Sequence, residues 1–178
     1  MVDVIAFDGD DTLWHNETLF SVTQEKFRAL LRPYVEESDI DASLLATEKR
    51  NLALFGYGIK GFTLSMIETA IEVSGGRVTA TEVQTLIDHG KAMLDHPVEL
   101  LDGVEEIIES LGQVYRIMLI TKGDLFDQES KIARSGLAER FWKIEIVSEK
   151  DPDTYRRILR WLLWLLAALL VWQFLARG

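Results

Sequence analysis

A chain of 178 residues has room for one packed domain with an insert and none for a large multidomain machine. Its 19 Lys and Arg against 29 Asp and Glu leave a formal charge of −10, which disfavours nonspecific nucleic-acid binding, because a phosphate backbone is repelled, and leaves an acidic site for a metal cation open. The 48% of hydrophobic residues suffices for a core, and the absence of cysteine excludes disulfides, thiolate ligands and thiol nucleophiles, so the chemistry falls to carboxylates, hydroxyls, Lys or His.

Val2 to Phe7 (VDVIAF) reads as a buried strand that ends abruptly in the acidic run DGDD. No basic region followed by an apolar run and a cleavage site precedes it, so the body reads as cytoplasmic. Thr18 to Leu31 repeats Leu19, Val22, Phe27, Leu30 and Leu31 at helical spacing and stops near Pro33. About Ala42 to Leu54, Phe62 to Val73 and Thr81 to Leu94 are three more amphipathic helices, separated by GYGIKG and SGGR. After Pro97 the pattern changes to a helix over Gly103 to Leu111, a strand over Arg116 to Ile120, a helix over Asp127 to Ser135 and a strand over Ile144 to Val147. Such βα alternation predicts a parallel sheet, interrupted by a helical insert from roughly Trp14 to Pro97.

Strand C-termini are where open α/β sheets bind ligands, and three successive ones here carry polar groups. Asp8-Gly9-Asp10-Asp11-Thr12-Leu13 follows the first strand. Its paired carboxylates suit an attacking group and a proton shuttle, with Mg²⁺ screening their repulsion. Thr121-Lys122-Gly123-Asp124 follows the second, placing a hydroxyl and backbone N–H groups where anionic oxygens can be held. Lys150 follows the third through Ser148 and Glu149. Singly, these read as an acidic turn, a turn residue and a solvated charge; their order is what points to a site. For Trp14, packing is favoured over substrate contact, and for His15, exposure. Phe55, Tyr57 and Phe62 around GYGIKG read as cap packing, with a mobile loop entering the site as the alternative.

The order FDGDDTL, LITKGD, SEKDP, with a helical insert after the first motif, resembles the haloacid dehalogenase superfamily with its small helical cap, over about residues 1 to 155. The resemblance implies a Rossmann-like α/β core formed by residues 1–13 and 98–155, a helical cap over 14–97, and a hydrophobic C-terminal helix over 156–178. It assigns Asp8 as the nucleophile that forms an aspartyl phosphate, Asp10 as general acid and then base, Thr121 as the group binding the phosphoryl oxygens, and Lys150 as the cation that offsets charge. Thr12, Lys122 and Gly123 are the further substrate-binding positions. Mg²⁺ falls to the Asp8 carboxylate and the Asp10 backbone carbonyl. Positioning and charge stabilisation are what phosphoryl transfer requires, and members that cleave carbon–halogen bonds lack the second Asp. The expected function is therefore a Mg²⁺-dependent phosphohydrolase acting on a small phosphorylated metabolite.

The family pattern continues past Lys150 with another strand and a fourth acidic motif; only 28 residues follow here, and their acids, Asp151 and Asp153, read as helix caps. The alternative reading is accordingly an inactive or truncated remnant that binds phosphate without turnover. Residues 161–176 (WLLWLLAALLVWQFLA) contain one polar residue, Gln173. As a helix they span roughly 24 Å, somewhat short of the roughly 30 Å of a bilayer core. Three readings stay open: a membrane anchor that holds the body on the cytoplasmic face through Arg156, Arg157 and Arg160, a buried helix covering a sheet edge, or a frameshifted, truncated or engineered terminus.

Overall fold

A computed structural model describes residues 3–160 of the chain, so the expectations for residues 161–176 lie outside the described residues. The chain runs through strand β1 (Val4–Phe7), four helices α1 (Glu17–Leu31), α2 (Glu37–Phe55), α3 (Ile59–Val73) and α4 (Ala80–Asp95), then helix α5 (Val104–Gly112), strand β2 (Arg116–Lys122), helix α6 (Leu125–Arg134), a 3₁₀ turn (Ala138–Arg140) and strand β3 (Lys143–Val147). A last helix, α7, covers 152–160.

The three strands form a parallel sheet in the order β1-β2-β3. Its register pairs Phe7 with Leu119 and Lys122 with Val147, which brings the three strand C-termini to one edge. The run Ile117-Met118-Leu119-Ile120 is apolar throughout because both faces of β2 are covered, as a central parallel strand requires. Ile117 and Leu119 pack with Ile108 and Ile132 on one face, and Met118 and Ile120 meet Val147 and Ile158 of α7 on the other.

The four helices between β1 and α5 bury a separate core of Phe27, Leu31, Ile40, Leu44, Met66 and Leu86, each at most 1% exposed. Each contributes about 1.5–3 kcal/mol by leaving water. Helix α4 starts on a capping box: Glu82 N–H donates to Thr79 Oγ1 at 3.2 Å and Thr79 N–H donates to the Glu82 carboxylate at 2.7 Å. The insert leaves and re-enters the sheet domain side by side, with His15 N–H donating to the Glu99 carbonyl at 2.9 Å and Leu101 N–H to the Leu13 carbonyl at 3.0 Å.

Helix boundaries differ from the sequence reading where apolar periodicity is missing. Helix α2 begins at Glu37 rather than about Ala42, because its first turn, Glu37-Ser38-Asp39, is polar and favoured by the helix dipole without any core contact. Helix α3 begins at Ile59, three residues before Phe62, because Gly61 interrupts the pattern while its missing side chain is required by packing. A Cβ there would lie 2.9 Å from the Gly56 carbonyl oxygen. Asp151 caps α7 as expected, accepting from Thr154 N–H at 2.7 Å. Among the described residues no helix is long and apolar enough to cross a membrane.

Candidate active site

The three strand ends open into a cleft of about 520 Å³ between the sheet and the helical cap. Asp8, Asp10, Thr121, Lys122, Gly123 and Lys150 all line it. Lys150 Nζ lies 2.5 Å from Asp8 Oδ1, which also accepts from Gly9 N–H at 2.7 Å. The Asp8 side chain is 45% exposed and its contacts engage only Oδ1, so Oδ2 is directed to no partner among the described residues. Gly9 is required here: a Cβ would fall 2.8 Å from the Trp14 ring and 3.1 Å from Thr121 Oγ1.

The acids of DGDD divide their work. Asp10 accepts from Trp14 Nε1 at 2.7 Å and Gln128 Nε2 at 2.9 Å, and Lys131 Nζ reaches its two oxygens at 3.1 and 3.3 Å. Asp11, in a left-handed conformation with φ 55°, accepts from the N–H groups of Asn16 and Glu17, each at 3.0 Å, and so satisfies the start of α1. Thr12 does not reach the cleft. Its N–H donates to the Gly9 carbonyl in the tight turn that buries Leu13, and the turn leaves residue 12 exposed on the outside. Trp14 is buried against the sheet-side core and His15 is exposed, both as expected.

Helix α6 supplies what sequence reasoning missed. Gln128 bridges the first two motifs, giving its amide N–H to Asp10 and accepting the Thr121 hydroxyl at 3.1 Å. Lys131, 8% exposed, also donates to Asn16 Oδ1 at 2.9 Å and pairs with Asp127 at 3.4 Å. Asp127 is 3% exposed, and burial pushes its carboxyl above the usual range despite Lys131. The sequence signal was weak, since Asp127, Gln128 and Lys131 at i, i+1 and i+4 read equally well as a solvated helix face. Among the described residues no group of three or more acids or histidines converges so as to hold a metal by itself.

The cap closes over this edge. Tyr57, from the loop between α2 and α3, lies with its ring 3.6 Å from Lys122 Nζ, so it reaches the core instead of only packing within the cap. Phe62 does pack within it, 5.1 Å from the Phe20 ring. Lys60 donates to Asp124 at 2.8 Å, and that bond holds the Asp124 carboxyl below its usual range. Asp124 also caps α6 by accepting from Asp127 N–H at 3.0 Å. On the cap wall, burial and the nearby Glu17 charge push the Glu48 carboxyl up.

No family model matches the chain, and no curated protein does. Solved structures do. A haloacid dehalogenase-like family hydrolase from Xanthomonas campestris is 50% identical, with a TM-score of 0.85 over 89% of this chain and 67% of that one. The 2-haloacid dehalogenase of Pseudomonas syringae is 19% identical at TM-score 0.57, covering 90% of this chain and 72% of its own. L-2-haloacid dehalogenase from Xanthobacter autotrophicus is 16% identical at TM-score 0.54, covering 91% and 65%. The two dehalogenases establish the shared fold. Half-identity to the Xanthomonas protein over most of the chain, joined to an α/β core with a helical cap and an acidic turn at the first strand end, establishes kinship: the chain belongs to the haloacid dehalogenase superfamily of hydrolases.

Proposed function

We propose that this hydrolase cleaves small phosphate monoesters with Mg²⁺, through an aspartyl phosphate on Asp8. The observation that carries the reading is the junction of strand ends: Asp8 with Lys150 at 2.5 Å, and Thr121 buried on the neighbouring strand. Asp8 Oδ2 attacks phosphorus, the phosphorus–ester oxygen bond breaks, and Asp10 gives the leaving oxygen its proton. Water then attacks the phosphoryl group as Asp10 takes a proton back, and the Asp8–phosphorus bond breaks to release inorganic phosphate. Lys150 offsets the charge gathered on Asp8 and the phosphoryl oxygens. Thr121 turns its hydroxyl from Gln128 to one of those oxygens, and Gly123 lines the cleft next to it. Trp14, Gln128 and Lys131 hold Asp10 in place between its two proton transfers.

The donor set suits Mg²⁺. The Asp8 carboxylate, at an open position, and the Asp10 carbonyl would be its protein ligands; Mg²⁺ ordinarily takes one or two protein oxygens and completes its octahedron with water and phosphate. Bound there, the ion supplies charge neutralisation to the phosphoryl oxygens. Asp10 favours ester hydrolysis over carbon–halogen cleavage on chemical grounds, because an alkoxide needs a proton on leaving and a halide does not. The test is release of inorganic phosphate from a panel of small phosphate esters. Release is expected with Mg²⁺, lost on chelation and restored by adding the ion back. Asp8→Asn should lower it by at least about 10³-fold, the scale of losing a catalytic nucleophile. Turnover that survives Asp8→Asn refutes the mechanism.

A further inference from the structure

The walls of the cleft carry opposite charge. All three cations that line it, Lys122, Lys131 and Lys150, come from the core, and the cap contributes the carboxylates Glu17 and Glu48. Every cation on the core wall is matched by an acid: Lys122 by Glu149 at 3.6 Å, Lys131 by Asp10 and Asp127, Lys150 by Asp8. On the cap wall, the polar side chains of Asn51 and Ser65 are satisfied as well. Asn51 donates to Ser65 at 3.2 Å and to Glu68 at 2.7 Å, and Ser65 donates to the Gly61 carbonyl at 2.9 Å. The carboxylates of Glu17 and Glu48 are the exceptions, and of the two only Glu48 is withdrawn from solvent, Glu17 being exposed. Glu48 is half-buried on α2 facing the cleft, with no hydrogen bond or ion pair among the described residues. Arg50, two residues on, is occupied by Glu68 and Glu72 on another face of the helix.

A desolvated carboxylate set near a second carboxylate costs stability, and nothing in the fold repays it. Such a group inside a ligand cleft is explained by a ligand that matches it. A carboxylate or a second phosphate at the far end of the substrate would meet Glu48 and Glu17 with repulsion. A hydroxyl would leave the charge uncompensated, whereas a protonated amine cancels it.

We propose that Glu48 is a specificity-determining residue, selecting phosphate monoesters that carry a protonated amine at the end remote from the phosphate. The inference rests on the phosphohydrolase reading for the placement of the phosphate and extends it to the substrate class. It is tested by calorimetric binding of non-hydrolysable phosphonates in Mg²⁺ buffer, comparing aminoalkyl, hydroxyalkyl, alkyl and carboxyalkyl members of equal length. The aminoalkyl phosphonate should bind at least about tenfold more tightly than the alkyl one, the scale of a single matched charge, and the carboxyalkyl one most weakly. In Glu48→Gln, which keeps shape and removes charge, the amine preference should shrink to within about twofold, a difference of about 0.4 kcal/mol. Glu17→Gln should reduce it less. Equal binding of the amino and hydroxyl or alkyl members, or a preference that persists in Glu48→Gln, overturns the proposal. An amine preference without phosphate release from the matching esters upholds the Glu48 role and overturns the phosphohydrolase reading; phosphate release without the preference does the reverse.

Discussion

Glu48 and Asp124 are both carboxylates, and folding moves them in opposite directions. Burial and Glu17 raise Glu48, so the folded state holds its proton more tightly than the unfolded chain. Its contribution to stability is fully present below the unfolded value and is lost as pH rises through the folded one. Asp124, lowered first by Lys60, contributes stability that is present above the unfolded value and is lost as pH falls through the folded one. Glu48→Gln should therefore raise stability at pH 7 by about 1 kcal/mol, the size usual for relieving an unfavourable charge, and should flatten the decline in stability as pH rises through the carboxylate range. Urea unfolding of both proteins between about pH 4 and 7 checks this. Of the site residues, the pair Asp8 and Asp10 was legible because two acids stand at the end of an apolar run. Gln128, Lys131 and Glu48 were not, because nothing local separates a helix residue that faces a cleft from one that faces water.

At the scale of elements, the packing of helix α4 depends on one missing side chain. Gly90 sits in α4 where α3 crosses it, and a Cβ there would lie 2.2 Å from Thr63 Oγ1 and 2.9 Å from Thr63 Cγ2. Thr63 is itself held by donating to the Ile59 carbonyl at 2.7 Å, so it cannot move without losing that bond. Gly90→Ala, which by helix propensity alone would stabilise α4 by about 1 kcal/mol, should instead destabilise the protein by about 1–3 kcal/mol through overpacking. Thermal unfolding of Gly90→Ala and of the double variant Gly90→Ala/Thr63→Ala checks it, since removing Thr63 Oγ1 and Cγ2 should restore most of the loss. Periodicity located α4 to within a residue or two, because its apolar face is regular. It missed the first turns of α2 and α3, whose starts are set by a polar turn and by the close approach of Gly61 to Gly56.

Across the whole molecule, the cap is fastened to the sheet domain by polar contacts at its edges. Lys60 holds Asp124 and lies 5.2 Å from the Phe126 ring, Tyr57 lies over Lys122, and Arg134 donates to the carbonyls of Leu94 at 2.9 Å and His96 at 3.1 Å. The Lys60–Asp124 pair is partly exposed, so its loss should change global stability by less than about 1 kcal/mol. Its effect belongs to cap position. Lys60→Ala should raise KM for the proposed phosphate esters by about 3- to 10-fold with a smaller change in kcat, consistent with weaker closure over a bound ester. Steady-state kinetics and urea unfolding on the same preparations separate the two effects, and added salt should move the parent protein in the same direction.

The sequence by itself determined the α/β class, the helical insert and the order in which Asp8, Thr121 and Lys150 arrive at successive strand ends, because strand and helix periods and the groups that follow a strand are local properties of the chain. Only the tertiary structure decided that Asp10 is tied to Trp14, Gln128 and Lys131, that Thr12 turns away from the cleft, and that Glu48 faces the cleft without a partner. Those outcomes depend on how α2 and α6 are rotated against the sheet edge. That rotation is fixed by contacts between residues as far apart as Asp10 and Lys131, 121 positions in sequence, which no local pattern encodes.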